Sequence, residues 1–182
     1  MDKKAAMKAI EDLLIAIGED PQREGLKDTP RRVAEAFAEF TSGSEQAAKL
    51  ALAKTFNVEG GDMIIEKDIA FSSTCEHHLM PFFGKVAIAY IPDGKVVGLS
   101  KLARCVEAFA KNLQLQERLT SQIAQAIMTE LAPKGVLVYC DAEHTCMTCR
   151  GVKKPGTSTV TYKVLGDFPQ EEISRALTII KG

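Results

Sequence analysis

Apolar residues follow two different periods along this chain, and the change from one to the other divides it. Met7, Ile10, Leu14 and Ile17 recur every three or four residues before Gly18, which predicts an amphipathic helix of about four turns with a glycine stop. Asp28-Thr29-Pro30 offers a cap and a first-turn proline to a second helix, whose apolar face carries Val33, Phe37 and Phe40 as far as Gly43. Residues 1–60 are therefore expected to form an N-terminal helical arm. From Met63 the period drops to two. Met63, Ile65, Ile69 and Phe71 are predicted to share one face of a strand, and Val86, Ile88 and Tyr90 one face of the next, before an Asp93-Gly94 turn. Ser100 is placed to cap a helix bearing Leu102, Val106, Phe109 and Leu113, while Leu119, Ile123, Ile127 and Leu131 define another that stops at Pro133. Val136, Val138 and Cys140 alternate with Leu137 and Tyr139, and 157–165 is again rich in Val, Thr and Tyr, giving two more strands before a last helix over 169–180. This order, β-β-α-α-β-β after a helical arm, predicts an α+β fold: an antiparallel sheet with helices packed on one face, and a C-terminal helix. Residues 61–182 would then carry the chemistry.

Composition narrows the field without naming a function. With 182 residues, 46% hydrophobic and 26% charged, the chain can bury one adequate core and resembles ordinary globular sequences. A net charge of −1 excludes a broad nucleic-acid surface, which needs an excess of Lys and Arg to displace counterions. The first eighteen residues are charged and periodic, so neither a signal peptide nor a membrane span is expected and a cytoplasmic location follows by default. Five cysteines, an odd number, favour reduced thiols serving as ligands or core residues over a disulfide framework.

The chemistry concentrates in two short segments. Cys75-Glu76-His77-His78 holds a thiol, a carboxylate and two imidazoles, and His144-x-Cys146 adds a third imidazole and a second thiol; no histidine lies anywhere else. Cys75 and His78 are three apart, a spacing at which one turn can aim both at a single ion, and Cys146 would join them from a distant strand. Such donors suit zinc, and three of them leave a coordination position for an activated water, as in a zinc hydrolase. Neighbouring side chains diverge on an extended segment, so one of His77 and His78 binds while the other moves protons. His144, two residues before Cys146, is a candidate general acid or base. The competing reading is a closed structural zinc, with Cys149 of the Cys146-x-x-Cys149 pair as a fourth ligand. The gathering of every histidine favours catalysis. Cys105 and Cys140 fall on apolar faces, where a buried inert thiol is expected.

Cationic groups stand nearby in sequence. Ser100, Lys101 and Arg104 open a helix whose free N–H groups could receive a phosphate, and Arg150, followed by Lys153 and Lys154, ties further positive charge to the second metal segment. Gln116-Glu117 could accept from an N–H-rich heterocyclic edge, although a helix cap or surface pair explains such residues as well.

Four ordered motifs then coincide: Ser73-x-Cys75-Glu76-His77-His78-x-x-Pro81-Phe82, Gly98-Leu99-Ser100-Lys101-x-x-Arg104, Gln114-x-Gln116-Glu117-Arg118-Leu119-Thr120 and His144-x-Cys146-Met147-x-x-Arg150-Gly151. Together they resemble the zinc-dependent type of GTP cyclohydrolase I. The resemblance runs from Glu19-Asp20-Pro21 and Thr29-Pro30-Arg31-Arg32-Val33 nearly to Phe168. It implies a tunnel-type fold, a ring-shaped homodecamer with active sites at subunit junctions, and opening of the imidazole ring of GTP with release of C8 as formate, yielding 7,8-dihydroneopterin triphosphate for folate or pterin synthesis. By the same resemblance Cys75, His78 and Cys146 hold Zn2+, His77 and His144 shuttle protons and Ser100 assists at the ribose. Glu117 with Gln116 would read guanine, and Lys101, Arg104 and Arg150 would bind the triphosphate. Cys149 departs from the family, where methionine is usual. Alternatives of another kind are an enzyme like the queuosine-pathway nitrile reductase, which resembles this fold but works through a cysteine nucleophile and NADPH, and a structural-zinc binding module.

Overall fold

The computed structural model describes all 182 residues, which divide into two compact units, Met1–Ser42 and Gly43–Gly182. In the first, α1 (Lys3–Ala16) starts where the Asp2 carboxylate accepts from the backbone N–H groups of Lys4 and Ala5, and it ends ahead of Gly18 at φ +88°. Helix α2 (Thr29–Phe40) follows, with Pro30 in its first turn. Asp28 does not cap it as the sequence suggests; its carboxylate accepts from Arg32 Nη2 at 3.2 Å instead. Leu14 and Ala34 are the buried residues of these two helices.

The second unit begins earlier than the expected boundary at residue 61. Helix α3 (Glu45–Leu52), capped by the Ser44 hydroxyl, buries Ala48 and Leu52 completely in the main core, so it belongs to the body of the molecule. Next come β1 (Thr55–Asn57), β2 (Ile64–Cys75), β3 (Met80–Ile91) and β4 (Lys95–Val97), then α4 (Leu99–Ala110), β5 (Leu113–Gln114) and α5 (Gln116–Leu131). The chain closes with β6 (Gly135–His144), the short α6 (Thr145–Thr148), β7 (Thr159–Gly166) and α7 (Gln170–Lys181). The fold is α+β: β2, β3, β6 and β7 form an antiparallel sheet in that order, β5 pairs in parallel with the end of β2, and β1 and β4 make a separate ribbon. Leu113, expected on a helix face, lies in β5 because α4 stops at Ala110. No helix is long and apolar enough to cross a membrane.

Side-chain alternation gives the sheet two covered faces. Val86, Ile88, Tyr90, Val136 and Val138 point to the face where α4 and α5 bury Leu102, Val106, Ile123 and Ile127. Ala89 and Leu137 point the opposite way, against Ala176 and its neighbours Ile173 and Leu177 on α7. The expectation that Met63, Ile65, Ile69 and Phe71 share a face fails, and a bulge is the reason. Pairing between β2 and β3 slips between Glu66 and Ile69, and Asp68 takes a left-handed φ of +61°. One extra residue reverses the alternation, so Met63 and Ile65 pack toward α7 while Ile69 and Phe71 enter the main core.

Register also determines which motifs meet. Cys75 ends β2 opposite Met80 at the start of β3, Phe82 lies opposite His144 at the end of β6, and Cys75 is level with Gln114 on β5. Three of the four motifs thereby share one end of the sheet. Between them, Gly84 allows β3 and β6 to approach closely: a Cβ there would lie 2.0 Å from Asp141 O and 2.6 Å from Ala142 Cα. Gly84→Ala is expected to destabilise the protein by about 2 kcal/mol or more, because backbone rather than a flexible side chain must give way. A denaturant midpoint unchanged from the parent would show that the strands are less tightly held than these distances require.

Candidate active site

The site grows from a tight turn. After Cys75, the N–H groups of His78 and Leu79 donate back to the Cys75 carbonyl at 3.3 and 2.9 Å, and Leu79 adopts a left-handed φ of +53° to return the chain into β3. This winding places His78 Nδ1 3.7 Å from Cys75 Sγ. Cys146 comes from α6, whose Thr145 hydroxyl donates to the Pro81 carbonyl at 2.6 Å and fastens the helix to the start of β3. The donor atoms of Cys75, His78 and Cys146 all lie within 4.8 Å of one another, a group that can hold a metal ion. Burial, and then the neighbouring Cys75, push the Cys146 thiol up. Two thiolates side by side are costly without a cation between them, which fits a metal-binding pair.

Cys149 does not complete a four-ligand cage. It is exposed at the C-terminal end of α6 and stands outside the converging group. Cys105 and Cys140 are fully buried, and burial pushes each thiol up to about 12, so both are inert core residues.

His144 sits beside this group under two constraints. Its ring stacks on Phe82 with centroids 4.5 Å apart and planes 5° from parallel, and its Nε2 lies 2.8 Å from Gln116 Oε1. Burial lowers its affinity for a proton, while the Glu117 carboxylate works in the opposite direction. Glu117, exposed in the first turn of α5, is thus near enough to act on the ring. Gln116 differs from the expectation that it meets a ligand alongside Glu117. It is 2% exposed, and both ends of its amide are taken by the protein.

The remaining candidates are less closely joined. His77 is exposed and lies edge-on to His78, with ring centroids 6.1 Å apart, outside the metal-binding group. Arg150, exposed just past α6, favours the thiolate of Cys146 through its charge. Ser100, Lys101 and Arg104 occupy the first two turns of α4, and no hydrogen bond or ion pair ties them to the Cys-His-Cys group within the chain. Ser100 does not cap that helix, since Gly98 takes the capping position one residue before Leu99.

A brace escaped the sequence reading. Arg118 pairs with Glu76 inside the metal-binding turn, while its Nε donates to Gln114 Oε1 at 2.8 Å and Nη2 to the Leu113 carbonyl at 2.6 Å. The Glu76 N–H also donates to the Gln114 carbonyl at 3.0 Å. This fixes the turn to the start of α5. Both charged residues stood inside recognisable motifs, but only the parallel pairing of β5 with β2 makes them neighbours.

The sequence profile of GTP cyclohydrolase I matches residues 6–180. A protein of Pelotomaculum thermopropionicum named GTP cyclohydrolase 1 is 56% identical over 184 residues, covering 100% of this chain and 98% of its own. Another of that name from Carboxydothermus hydrogenoformans is 56% identical over 97% of this chain and 92% of its own, and one from Clostridium kluyveri is 55% identical over 92% and 91%. A crystal structure of the archaeosine synthase QueF-like protein in the apo form aligns with a TM-score of 0.47 and 16% identity, over 61% of this chain and 100% of that one. With its profile match across nearly the whole length and relatives more than half identical, the chain belongs to the GTP cyclohydrolase I family.

Proposed function

We propose that this protein opens the imidazole ring of GTP, releases C8 as formate and closes the product to 7,8-dihydroneopterin triphosphate, the first step of folate or pterin synthesis. The observation that carries the reading is the convergence of Cys75, His78 and Cys146 beside His144 and Glu117, in a chain of this family. Zinc fits the donor set. Zn–S and Zn–N bonds of ordinary length at a tetrahedral angle set sulfur and nitrogen about 3.6 Å apart, close to the 3.7 Å between Cys75 Sγ and His78 Nδ1. When bound, zinc supplies a Lewis acid that makes water a nucleophile near neutral pH.

The chain's own residues do the rest. His144 and the exposed His77 move protons to and from the purine nitrogens and the ribose, each imidazole offering a nitrogen that can take a proton and return it. Glu117 accepts from the N1 and N2 hydrogens of guanine; an adenine edge would leave that carboxylate unpaired, and such sites discriminate by up to roughly 10⁴-fold. Arg150 enters from the metal side, and Lys101 and Arg104 complete the cradle for the triphosphate, with Ser100 at the ribose. The protein acts as a homodecamer with sites at subunit junctions. That arrangement lets a neighbouring copy supply the α4 residues, which have no tie to the metal-binding group within one chain. A cytoplasmic setting suits it, because ligand thiols must stay reduced.

Incubating the purified protein with GTP and zinc should release one formate per GTP turned over and leave a product that oxidises to a fluorescent pterin. GTP recovered intact from zinc-loaded protein would overturn the proposal.

A further inference from the structure

The side chain of Gln116 has no end left to meet a ligand, and the way its two ends are used determines where a proton sits on His144. Its amide nitrogen lies 2.8 Å from the Thr159 carbonyl, 3.2 Å from the Cys140 carbonyl and 3.2 Å from Thr161 Oγ1. Carbonyl oxygens only accept, so this end must be the NH₂ group; the flipped amide would press its own oxygen against two carbonyls at a buried position. The hydroxyls agree in direction. Thr120 Oγ1 donates to the Gln116 backbone carbonyl at 2.8 Å, so the 2.7 Å contact between the two hydroxyls must be a donation from Thr161 to Thr120. That leaves Thr161 Oγ1 able to accept from Gln116. Every bond in this buried ring thus has one permitted direction.

The other end of the amide is therefore an acceptor, and it faces His144 Nε2 at 2.8 Å. A nitrogen in that position must carry hydrogen. The stacked Phe82 ring fixes the plane of the imidazole and Gln116 fixes its rotation within that plane, so neither ring flip nor tautomer exchange is free.

We propose that Gln116 is a positioning residue that locks the neutral His144 ring as its Nε2–H tautomer and so presents Nδ1 as the atom that takes and returns a proton. When Nδ1 receives a proton, its lone pair forms the new N–H bond, Nε2 keeps its hydrogen, and Gln116 Oε1 supports the resulting positive charge. The catalytic consequence rests on the function proposed above. The tautomer itself does not.

The test is solid-state NMR on zinc-loaded protein labelled with ¹⁵N-histidine, at a pH about two units above the ordinary imidazole value. Three histidines give three pairs of ring signals, and the pair lost in His144→Ala is assigned to His144. The expected result is a proton-bearing Nε2 and a bare Nδ1 at His144. Gln116→Met, which keeps the length but removes the amide, should mix the tautomers and lower kcat about 10- to 100-fold, leaving KM for GTP within about twofold. A hydrogen on Nδ1 in the unaltered protein overturns the proposal, and that measurement needs no variant to fold. So does a Gln116→Met protein that keeps both tautomer and kcat, or one that changes KM alone. Failure to process GTP with the expected tautomer in place would sink the proposed function and leave the assignment of the ring standing.

Discussion

Cys146→Ala is expected to abolish metal retention and formate release from GTP together. The three donors come from only two places, the turn after β2 and the first turn of α6, so removing Cys146 leaves both remaining donors on one four-residue turn. Disturbing groups that merely orient metal ligands already costs 10- to 100-fold in affinity or activity, and losing a ligand should exceed about 10²-fold. Folding offers no competing explanation. Cys146 is half-buried on a short surface helix, where truncating one side chain typically changes stability by no more than about 0.5–1 kcal/mol. Metal per chain after dialysis and formate per unit time are the two measurements. A variant retaining one ion per chain and full turnover would show that these three residues do not form the working centre.

His144→Ala should give the opposite pairing of results: metal kept, turnover lost. His144 lies outside the Cys-His-Cys group, and removing it leaves all three donors in place. Positioned acid–base groups contribute about 10²–10⁴-fold, which sets the expected drop in formate release. The stacked Phe82 and the buried Gln116 would each lose a partner, so stability should be checked by thermal unfolding beside the metal content. An unchanged rate would return the Cys-His-Cys group to a structural role. The two variants thereby separate a centre that does chemistry from one that only holds the fold.

Much of this architecture was legible in the residues. The 3.6-residue period marked α1, α2, α4 and α5 and the two-residue period marked β2, β3 and β6, because burial on one face leaves its pattern in the sequence. Val, Thr and Tyr content marked β7, α7 is the expected closing helix, and the eight-residue α3 passed unmarked. The short elements β1, β4, β5 and α6 escaped, since two to four residues cannot express a period. The bulge at Asp68 escaped for a related reason: alternation read along a strand assumes that no residue is inserted, and Met63 and Ile65 were placed on the wrong face by that single residue.

The site divides along the same line. Residue chemistry and local spacing pointed to Cys75, His78 and Cys146 as partners on one ion with His144 and Arg150 close by, whereas the place of Glu117 came only from the resemblance of its motif to a family. Donor type and short-range geometry are properties of the chain itself. Only the tertiary structure decided that Cys149 stays outside the metal-binding group, that Arg118 braces the turn through Glu76, and that Gln116 faces inward to hold His144 rather than outward toward a ligand. Which way a polar side chain points depends on the partners waiting for it. For the Gln116 side chain those partners are carbonyls of β6 and β7, a hydroxyl of β7 and the His144 ring, between 24 and 45 residues away, and they become neighbours only when the sheet closes over α5.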